Sequence, residues 1–473
     1  MTITSELLSL LKKAKGITHN SKEVKEGYIF FALKGIKHDG HLFVKEALEK
    51  KALAVVVETD IPLKRGRIIK VDSTRRALAE SAHLFFGKPS EKLSIIGITG
   101  TNGKTTTAYI LTEILSNAGE KTGYIGTVNY RIGKKVFLKE GQTTPDSILW
   151  HKTLKSMVKE GATHVVAEIS SHALDQERVW GTKFDTVIFT NLSRDHLDYH
   201  KNMENYYRAK ERLFTDYRYN LALVNSDDLY GKRLLKVLKG AVFTFGKKGY
   251  MKIENFRSDL SGSEIVLNFE GKRYTFKSNL VGGFQASNIA AAVLCAFKKG
   301  IKEEIIEKSL LNVKIPGRFE VIRSDRGFSV IIDYAHTPQA IYSVLETARK
   351  LTKGKLIAVF GAGGDRDKEK RPLMGKAAEK WSDVIVLTSD NPRSEDPKLI
   401  ASDILKGIKS KEKVILELDR EKAIKYALEI AREGDMIAIL GKGHESYQEI
   451  KGIKYPFSDR EIVLSILGGE NAL

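Results

Sequence analysis

The amino-acid sequence predicts an α/β protein of three domains, each with a sheet and surrounding helices. Short apolar segments such as 94–98 and 436–440 alternate with longer segments of helical pattern. This alternation is typical of parallel sheets that helices cover on both faces. The chain has 473 residues, more than one hydrophobic core usually holds, and Pro and Gly turns divide it near residues 89 and 316. We therefore predict domains over 1–88, 89–316 and 317–473.

Each domain has its own predicted elements. The first is mixed, with strands at 28–33 and 52–57 and a helix at 41–51. In the central domain a helix at 105–118 follows the first strand, and further strands are predicted at 164–169, 186–190 and 221–224. The stretch 251–278 alternates like antiparallel hairpins, which indicates an insertion. The third domain is predicted to be a second α/β unit, with strands at 329–333, 355–360, 384–388 and 436–440.

Composition excludes several classes of protein. With 42% hydrophobic and 29% charged residues, the chain is globular and not disordered. No run of 18 apolar residues and no secretory leader pattern are found, so we expect no membrane span. The single cysteine, Cys295, excludes an internal disulfide and fits a reducing cytoplasm. The net charge of +19 permits a nucleic acid, a membrane surface or an anionic small substrate, but the lysines are dispersed and no nucleic-acid-binding motif occurs.

The strongest chemical signal is the segment 100–106, Gly-Thr-Asn-Gly-Lys-Thr-Thr, between a predicted strand and a predicted helix. Its glycines let backbone N–H groups face phosphate oxygens, and the start of a helix adds partial positive charge. Lys104 is placed to neutralise the β- and γ-phosphates, and Thr105 to reach Mg²⁺. Ile98 stands where the general pattern has glycine, so the loop is a variant. The alternative is a tight strand-to-helix turn that binds nothing.

Polar side chains follow two other predicted strands. Glu168 lies at the end of one, and the other leads into Asp195, His196, Asp198 and His200. Because ligands gather at the carboxyl ends of strands in open α/β sheets, Glu168 is placed to bind Mg²⁺, a cation that prefers oxygen ligands. A single histidine there is more often a cap or a surface residue, but the group as a whole favours function. By its own pattern, Lys210 is an ordinary helix lysine.

On these motifs the chain resembles the Mur ligases, the ATP-dependent amino-acid ligases of peptidoglycan synthesis, over essentially its whole length. The similarity is greatest to the branch that adds the third residue, meso-diaminopimelate. The landmarks lie at 100–106, 168–172, 191–200, 209–210, 316–320, 333–338, 363–366, 390–393 and 441–445. The resemblance implies a small UDP-sugar-binding first domain, a central P-loop ATPase domain with a parallel sheet, and a Rossmann-like third domain that binds the amino acid.

The resemblance also implies the residues around ATP and Mg²⁺. Nucleotide-binding residues would be Gly100, Thr101, Asn102, Gly103, Lys104, Thr105, Thr106, Asn288, Arg318, Asp333 and His336. The implied metal site comprises Thr105, Glu168, His196 and Lys210, and the implied catalytic residues are Lys104, Lys210, Glu168 and His196. Lys210 would carry an N6-carboxyl group, a carbamate with two oxygens for Mg²⁺. Carbamylation needs a neutral amine, so burial or nearby cations would have to lower the lysine pKa from about 10.4.

For the acceptor, UDP-N-acetylmuramoyl-L-alanyl-D-glutamate, the resemblance implies two groups of residues. The uridine diphosphate would face Ser21, Ile36, Lys37 and His38. The muramoyl-dipeptide end would contact Thr143, Thr144, Ser170, Gln176 and Arg178. Two details depart from the family pattern: Asn20-Ser21-Lys22 replaces Asp-Ser-Arg, and Gln285 replaces Asn. Since the acceptor is strongly anionic, we expect a locally basic cleft.

The amino-acid donor is implied to bind Arg366, Asp390, Asn391, Pro392, Arg393, Gly441 and Glu445. By composition alone, 390–393 is a turn. Diaminopimelate differs from lysine by a carboxylate at its far end, which an arginine can bind through two parallel hydrogen bonds. Arg393 would therefore select diaminopimelate, and Glu445 would take an ammonium group. A site built for a charged partner discriminates strongly against an analogue that lacks it.

The predicted reaction is ATP-dependent amide formation through an acyl phosphate, by a monomeric cytoplasmic enzyme of cell-wall synthesis that binds no nucleic acid. A lysine-adding ligase or a folylpolyglutamate synthase of the same fold is the nearest alternative. A nucleic-acid-stimulated ATPase is an alternative from another class, and would show strongly salt-dependent binding. A nucleotide-dependent interaction protein that has lost its chemistry is the third.

Overall fold

The computed structural model describes residues 3–35, 38–63, 66–139 and 141–468. These residues form three main sheets, each from a different part of the chain, and a two-stranded hairpin near the end. The predicted three-part α/β architecture is confirmed. Within the described ranges, no helix combines the length and the apolar character needed to cross a bilayer.

The first sheet is small and wholly parallel. Its strands are β1 (Gly16–Thr18), β2 (Tyr28–Phe31), β3 (Ala54–Val57) and β4 (Ile68–Lys70), in that order. Its helices are α1 (Ser5–Leu11), α2 (Val44–Glu49) and α3 (Thr74–Phe85). The helix predicted at 41–51 is shorter than expected because a 3₁₀ turn, Gly40–Phe43, precedes it and Asp39 caps that turn.

The central sheet has eleven strands in the order β15-β14-β13-β12-β11-β10-β5-β9-β6-β7-β8. The strands are β5 (Ser94–Thr99), β6 (Thr122–Ile125), β7 (Tyr130–Ile132), β8 (Lys135–Leu138), β9 (His164–Glu168), β10 (Thr186–Phe189), β11 (Leu221–Asn225), β12 (Val242–Gly246), β13 (Met251–Asp259), β14 (Gly262–Phe269) and β15 (Lys272–Ser278). Neighbouring strands from β6 to β13 pair in parallel, and both edges continue as antiparallel hairpins. The hairpin prediction for 251–278 is therefore correct.

Helices cover both faces of the central sheet, which explains the continuous apolar runs in its strands. They are α4 (Lys104–Asn117), α5 (Ser147–Lys159), α6 (Ser171–Asp175), α7 (Leu197–His200), α8 (Met203–Thr215), α9 (Leu229–Leu235), α10 (Gln285–Lys298) and α11 (Glu303–Asn312). Successive residues of β5 point to opposite faces. Ile96 and Ile98 pack in one core beneath α4 and α10, whereas Ile95 packs in the other beneath α5.

The third sheet has the order β16-β17-β21-β18-β19-β20 and is parallel except for β16. Its strands are β16 (Glu320–Arg323), β17 (Ser329–Asp333), β18 (Leu356–Phe360), β19 (Val384–Leu387), β20 (Val414–Leu416) and β21 (Met436–Leu440), followed by the hairpin β22 (Tyr447–Ile450) and β23 (Ile453–Pro456). The helices are α12 (Pro338–Leu351), α13 (Lys370–Trp381), α14 (Pro397–Leu405), α15 (Arg420–Ile430) and α16 (Asp459–Ile466). The strands predicted at 329–333 and 436–440 agree to the residue.

The carboxyl ends of the parallel strands place the polar residues. In the central sheet, β5 leads into the 100–103 loop, β9 ends at Glu168 and β10 leads into Asn191. In the third sheet, β17 ends at Asp333 and β21 leads into Gly441. Because the carboxyl ends of parallel strands share one edge of a sheet, ligands bind there in α/β proteins. Glu168, Asn191 and Asp333 line one cavity.

Candidate functional site

The 100–103 loop has the backbone geometry of a phosphate cradle. Gly100 has φ +151° and Gly103 has φ +87°, which side chains rarely allow. A Cβ on Gly100 would lie 1.9 Å from Thr190 Oγ1, and one on Gly103 would lie 2.3 Å from Asn288 Oδ1. Helix α4 begins directly afterwards, so its first N–H groups have no partners within the helix. An anion is stabilised at such a helix start.

Lys104 is the first residue of α4, directly after this loop. Its Nζ donates to the backbone oxygens of Gly100 at 2.8 Å and Thr101 at 2.9 Å. Burial lowers the pKa of Lys104, and Glu168 and Asp195 oppose that shift. Lys104 also lines a cavity of about 220 Å³, which we call the nucleotide cavity. When a phosphate binds, Lys104 Nζ could replace these backbone contacts with a charge-assisted hydrogen bond to a phosphate oxygen.

Thr105 and Glu168 bring a hydroxyl and a carboxylate to the wall of the nucleotide cavity. Thr105 Oγ1 donates to Glu168 Oε2 at 3.0 Å. The carboxylate also accepts from the Tyr124 hydroxyl at 2.6 Å and from the backbone N–H and hydroxyl of Thr127, each at 3.0 Å. Arg318 Nη2 in turn donates to Thr105 Oγ1 at 3.1 Å. Glu168 is therefore held rigidly beside the phosphate loop.

These donors fit Mg²⁺, because Thr105 and Glu168 offer the hard oxygen ligands that this cation prefers and phosphates supply others. His196 lines the same cavity. Burial lowers the pKa of His196 well below its usual range, although Asp195 opposes that shift. No cluster of three His, Cys, Asp or Glu side chains arranged around a metal position occurs in the described ranges. Mg²⁺ sites usually combine one or two carboxylates with substrate phosphates and waters.

Lys210 lies behind the phosphate loop. It is buried on α8, donates to the Gly100 backbone oxygen at 2.8 Å, and has its Nζ 4.8 Å from the Tyr206 ring centre. Burial, with a contribution from Lys104, lowers the pKa of Lys210 well below its usual range. That is the condition that carbamylation was expected to need. Lys210 is not among the residues that line the nucleotide cavity.

The third domain closes the nucleotide cavity. Arg318, Asp333 and His336, which are predicted nucleotide-binding residues, line it together with Asn288 of α10. Burial raises the pKa of Asp333, whose carboxylate accepts from the backbone N–H groups of Phe319 and Ala335, both at 2.7 Å. Apolar atoms suited to a nucleotide base come from Phe284, Ala340 and Val344.

Ion pairs from Arg194 and Asp195 join the central domain to the third domain beside this cavity. Arg194 Nε lies 3.1 Å from Asp367 Oδ2, and Lys370 Nζ lies 3.3 Å from Asp195 Oδ1. Burial acts to raise the pKa of Asp195, but His196 and Lys370 outweigh it and lower that pKa well below its usual range. The Asp195 carboxylate therefore stays ionised at neutral pH and can pair with Lys370 across the boundary between the two domains.

A second cavity, of about 950 Å³, adjoins the first, and we call it the substrate cavity. Of the predicted acceptor and donor residues, the cavity is lined by Thr143, Thr144, Ser170, Arg178, Arg366, Arg393 and Glu445. Its cationic lining residues are Lys139, Arg178, Arg366, Arg393 and Lys454, and its only acidic ones within the described ranges are Glu445 and Glu449. The expected basic cleft is present, and it suits an anionic ligand.

The two cavities share a wall. Thr127, Thr143, His196 and Tyr334 line both of them. The substrate cavity therefore lies directly beside the cavity that Lys104 lines. His172, whose ring is 4.8 Å from that of His196, faces the substrate cavity, and burial lowers its pKa to about 4.

Several predicted donor residues lie behind the cavity wall rather than in it. Asn391 Nδ2 donates to Glu445 Oε2 at 2.9 Å, and the buried Lys442 bonds both of them at 3.0 Å. Burial raises the pKa of Glu445, and Lys442 opposes that shift. Asp390, Asn391, Pro392 and Gly441 line neither cavity. This network fixes the position of Glu445.

The structure does not bring every predicted residue to a cavity. Ser21, His38, Gly100 and Gln176 line neither one. Gln176 Oε1 instead accepts from Arg178 Nε at 3.1 Å and so orients that arginine. Ile36 and Lys37 lie outside the described residues.

Some cavity residues were missed by sequence reasoning. Thr127 follows β6, which was not predicted, and a strand-end search would have found it had β6 been recognised. Gln285, to which no role was assigned, lines the nucleotide cavity and accepts from Asn288 Nδ2 at 2.9 Å. Glu449 and Lys454 come from the final hairpin and have no sequence signal of their own.

A phosphate-binding loop on a parallel sheet, closed by another domain and joined to a cationic cavity, defines a nucleotide-dependent enzyme. Three family models match the chain: the Mur ligase family, catalytic domain, at 13–86; the Mur ligase middle domain at 98–296; and the Mur ligase, glutamate ligase domain, at 317–443. The chain belongs to the Mur ligase family.

Individual relatives agree with this assignment. The chain is 61% identical to the UDP-N-acetylmuramoyl-L-alanyl-D-glutamate--2,6-diaminopimelate ligase of Aquifex aeolicus (strain VF5), over 99% of this chain and 96% of the relative. It is 42% identical to the protein of that name from Clostridium perfringens (strain 13 / Type A), over 97% of this chain and 96% of the relative. A solved structure of a ligase of that name aligns with TM-score 0.69 and 34% identity, covering 96% of this chain and 94% of the other.

Proposed function

We propose that the chain is the ATP-dependent ligase that joins meso-2,6-diaminopimelate to UDP-N-acetylmuramoyl-L-alanyl-D-glutamate in peptidoglycan precursor synthesis. The observation that carries the proposal is the shared wall between a nucleotide cavity with a phosphate loop and a cationic substrate cavity. The names of the two relatives at 61% and 42% identity support the particular substrates. ATP use follows from membership of an ATP-dependent family.

The reaction proceeds in two steps. A carboxylate oxygen of the D-glutamate side chain attacks the γ-phosphorus of ATP, and the bond from that phosphorus to the β–γ bridging oxygen breaks. ADP is the leaving group, and the product is an acyl phosphate. The neutral amine of diaminopimelate then attacks the acyl carbon, phosphate leaves, and the amine loses a proton. Lys104 and the N–H groups at the start of α4 stabilise the charge on the transferring group. Interdomain contacts such as Asp195–Lys370 keep water from the acyl phosphate.

Mg²⁺ would be held by Thr105 and Glu168, with His196 beside them. When bound, it would offset negative charge on the phosphates. Lys210 as a carbamate would place two further oxygens near Gly100, and the low pKa of its buried amine favours that modification. In the unmodified state the ammonium or amine of Lys210 supports the phosphate loop through Gly100 instead.

Arg393 is the proposed selector of the donor. Its Nη1 donates to the Gly364 backbone oxygen at 2.6 Å, and its Nε donates to Glu449 at 3.2 Å. A diaminopimelate carboxylate would pair with the remaining guanidinium N–H groups, whereas the ammonium of lysine would be repelled. Arg366 and Arg178 remain for the other carboxylates in the substrate cavity.

The same proposal includes the organisation and location of the enzyme. We place its domains at 1–88, 89–316 and 317–473, with UDP bound near Ser21 and His38. The family implies a cytoplasmic enzyme, and the lone thiol of Cys295 is buried and suits a reducing compartment. A monomer without a nucleic-acid partner completes the proposal.

Phosphate release from ATP with Mg²⁺ tests the proposal directly. We expect release only when UDP-N-acetylmuramoyl-L-alanyl-D-glutamate and diaminopimelate are both present, with L-lysine giving at least about 100-fold less. Equal rates with lysine would favour the lysine-adding alternative. Release that DNA or RNA stimulates, without the sugar nucleotide, would favour a nucleic-acid-dependent ATPase instead.

A further inference from the structure

We propose that Glu449 is a positioning residue that orients Arg393 and thereby sets the selectivity for a donor with a distal carboxylate. This inference rests on the proposed function, because it assigns a second residue to the arginine that selects the donor. Glu449 lies on β22, outside the segments that carry the resemblance to the Mur ligases.

Glu449 is tied to Arg393 through both side chain and backbone. Its Oε2 accepts from Arg393 Nε at 3.2 Å, and its backbone oxygen accepts from the Arg393 N–H at 3.0 Å. The Arg393 oxygen accepts from the Lys451 N–H at 2.7 Å, and Asn391 Oδ1 accepts from the Glu449 N–H at 2.9 Å. The hairpin and the 390–393 turn are therefore one connected unit.

The side-chain contacts determine which part of the guanidinium is free. Glu449 occupies Nε and the Gly364 oxygen occupies one N–H of Nη1. Nη2 has no hydrogen-bond partner among the described residues, and Arg393 lines the substrate cavity. Nη2 and the second N–H of Nη1 therefore remain for a carboxylate, and the contacts at Nε and Nη1 fix the plane of the fork. Bidentate pairing depends on that plane.

Glu449 has no substitute in this role. It is the single carboxylate within 4.0 Å of the Arg393 guanidinium in the described part of the chain. Arg393 is 22% exposed and Glu449 25%, so neither is locked by packing alone. The hydrogen bonds at Nε and Nη1 are the side-chain contacts that hold the Arg393 guanidinium among the described residues. Without Glu449, the arginine would sample orientations that do not bind the donor.

The test compares Glu449→Ala and Glu449→Gln in steady-state kinetics with all three substrates. For Glu449→Ala we expect the KM for diaminopimelate to rise about tenfold with kcat within about twofold of wild type, as loss of one hydrogen bond to a charged group implies. The KM values for ATP and for the sugar nucleotide should not change. Glu449→Gln keeps an oxygen that accepts from Nε, so it should restore the KM to within about threefold.

A matched control comes from the same hairpin. Ile453→Ala removes an exposed side chain of β23 that lines neither cavity, and it should leave all three KM values unchanged. A Glu449→Ala enzyme with an unchanged or lower KM for diaminopimelate would overturn the inference, and so would an equal rise in all three KM values. If the wild type itself releases no phosphate with diaminopimelate, the proposed function fails instead.

Discussion

The nucleotide cavity and the substrate cavity share a wall but are built differently. The first is centred on one continuous segment, 100–106, whose backbone makes the cradle. The second takes charged side chains from five separate places, Lys139, Arg178, Arg366, Arg393 and Lys454, in two domains. A backbone cradle depends on glycines and a helix start, whereas a cationic cavity depends on the orientation of long side chains. Substitutions at the nucleotide cavity should therefore mainly lower kcat, whereas substitutions around the substrate cavity should mainly raise the KM for the amino acid.

Lys104→Ala should give the largest effect. The lysine carries the only side-chain charge of the 100–106 segment and faces the transferred phosphate, so we expect kcat to fall about 10³-fold. Phosphate release under saturating substrates measures it. Normal turnover by the Lys104→Ala enzyme would show that Lys104 does not stabilise the transferring phosphate.

Lys442→Ala is the matched lysine substitution beside the substrate cavity, and it tests whether the two cavities act on different kinetic constants. Lys442 is a buried lysine that bonds Asn391 and Glu445 behind the substrate cavity. Its loss should raise the KM for the amino acid and leave the KM for ATP unchanged. If both lysine variants lowered kcat alike, the division between the cavities would be wrong.

Arg393→Ala should come next. Removing a guanidinium that pairs with a carboxylate costs about 2.7 kcal/mol, which is about 100-fold in kcat/KM for diaminopimelate. The value for L-lysine should stay the same or rise, because lysine lacks that carboxylate. Arg393→Lys should not rescue, since an ammonium cannot form the two parallel bonds. An unchanged preference for diaminopimelate over lysine would contradict the assignment.

The contrast between the cavities also explains what sequence could predict. Gly100 to Thr106 and Glu168 were found because strand, loop and helix signals stand next to each other in the chain. Arg393 was identified only through resemblance, since Asp-Asn-Pro-Arg by itself indicates a turn. Glu449 was missed because its importance arises from a contact across 56 residues of sequence. Lys210 was likewise identified only through resemblance. The sequence around it does not indicate that α8 buries its side chain against the Gly100 backbone oxygen.

Glu168→Gln should give a smaller effect on the metal requirement. The carboxylate keeps its size but loses its charge and part of its bonding to Thr105 and Thr127. We expect the Mg²⁺ concentration for half-maximal phosphate release to rise roughly tenfold. Glu177→Gln, at a buried carboxylate that pairs with Arg76 instead, is the control and should leave that concentration unchanged. An unchanged Mg²⁺ requirement in Glu168→Gln would exclude it as a ligand.

His151→Leu should leave both cavities unchanged and alter only acid stability. His151 of α5 is fully buried, 5.1 Å from the His83 ring of α3, and neither of its ring nitrogens has a hydrogen-bond partner of normal geometry among the described residues. Burial lowers its pKa from 6.5 to about 3, and the positive charge of His83 acts in the same direction. The folded state thus excludes a proton that the unfolded chain binds below pH 6.5.

The sign of the pH effect follows from that difference. The free energy of unfolding is unaffected by His151 above pH 6.5 and falls as the pH drops from 6.5 toward 3, by about 1.4 kcal/mol per pH unit. Urea unfolding at pH 7.5 and 5.5 should therefore show that wild type loses about 1.4 kcal/mol more than His151→Leu. An equal loss in both proteins would mean that His151 is protonated in the folded state. The KM values for ATP and diaminopimelate should be the same in both, because His151 lines neither cavity.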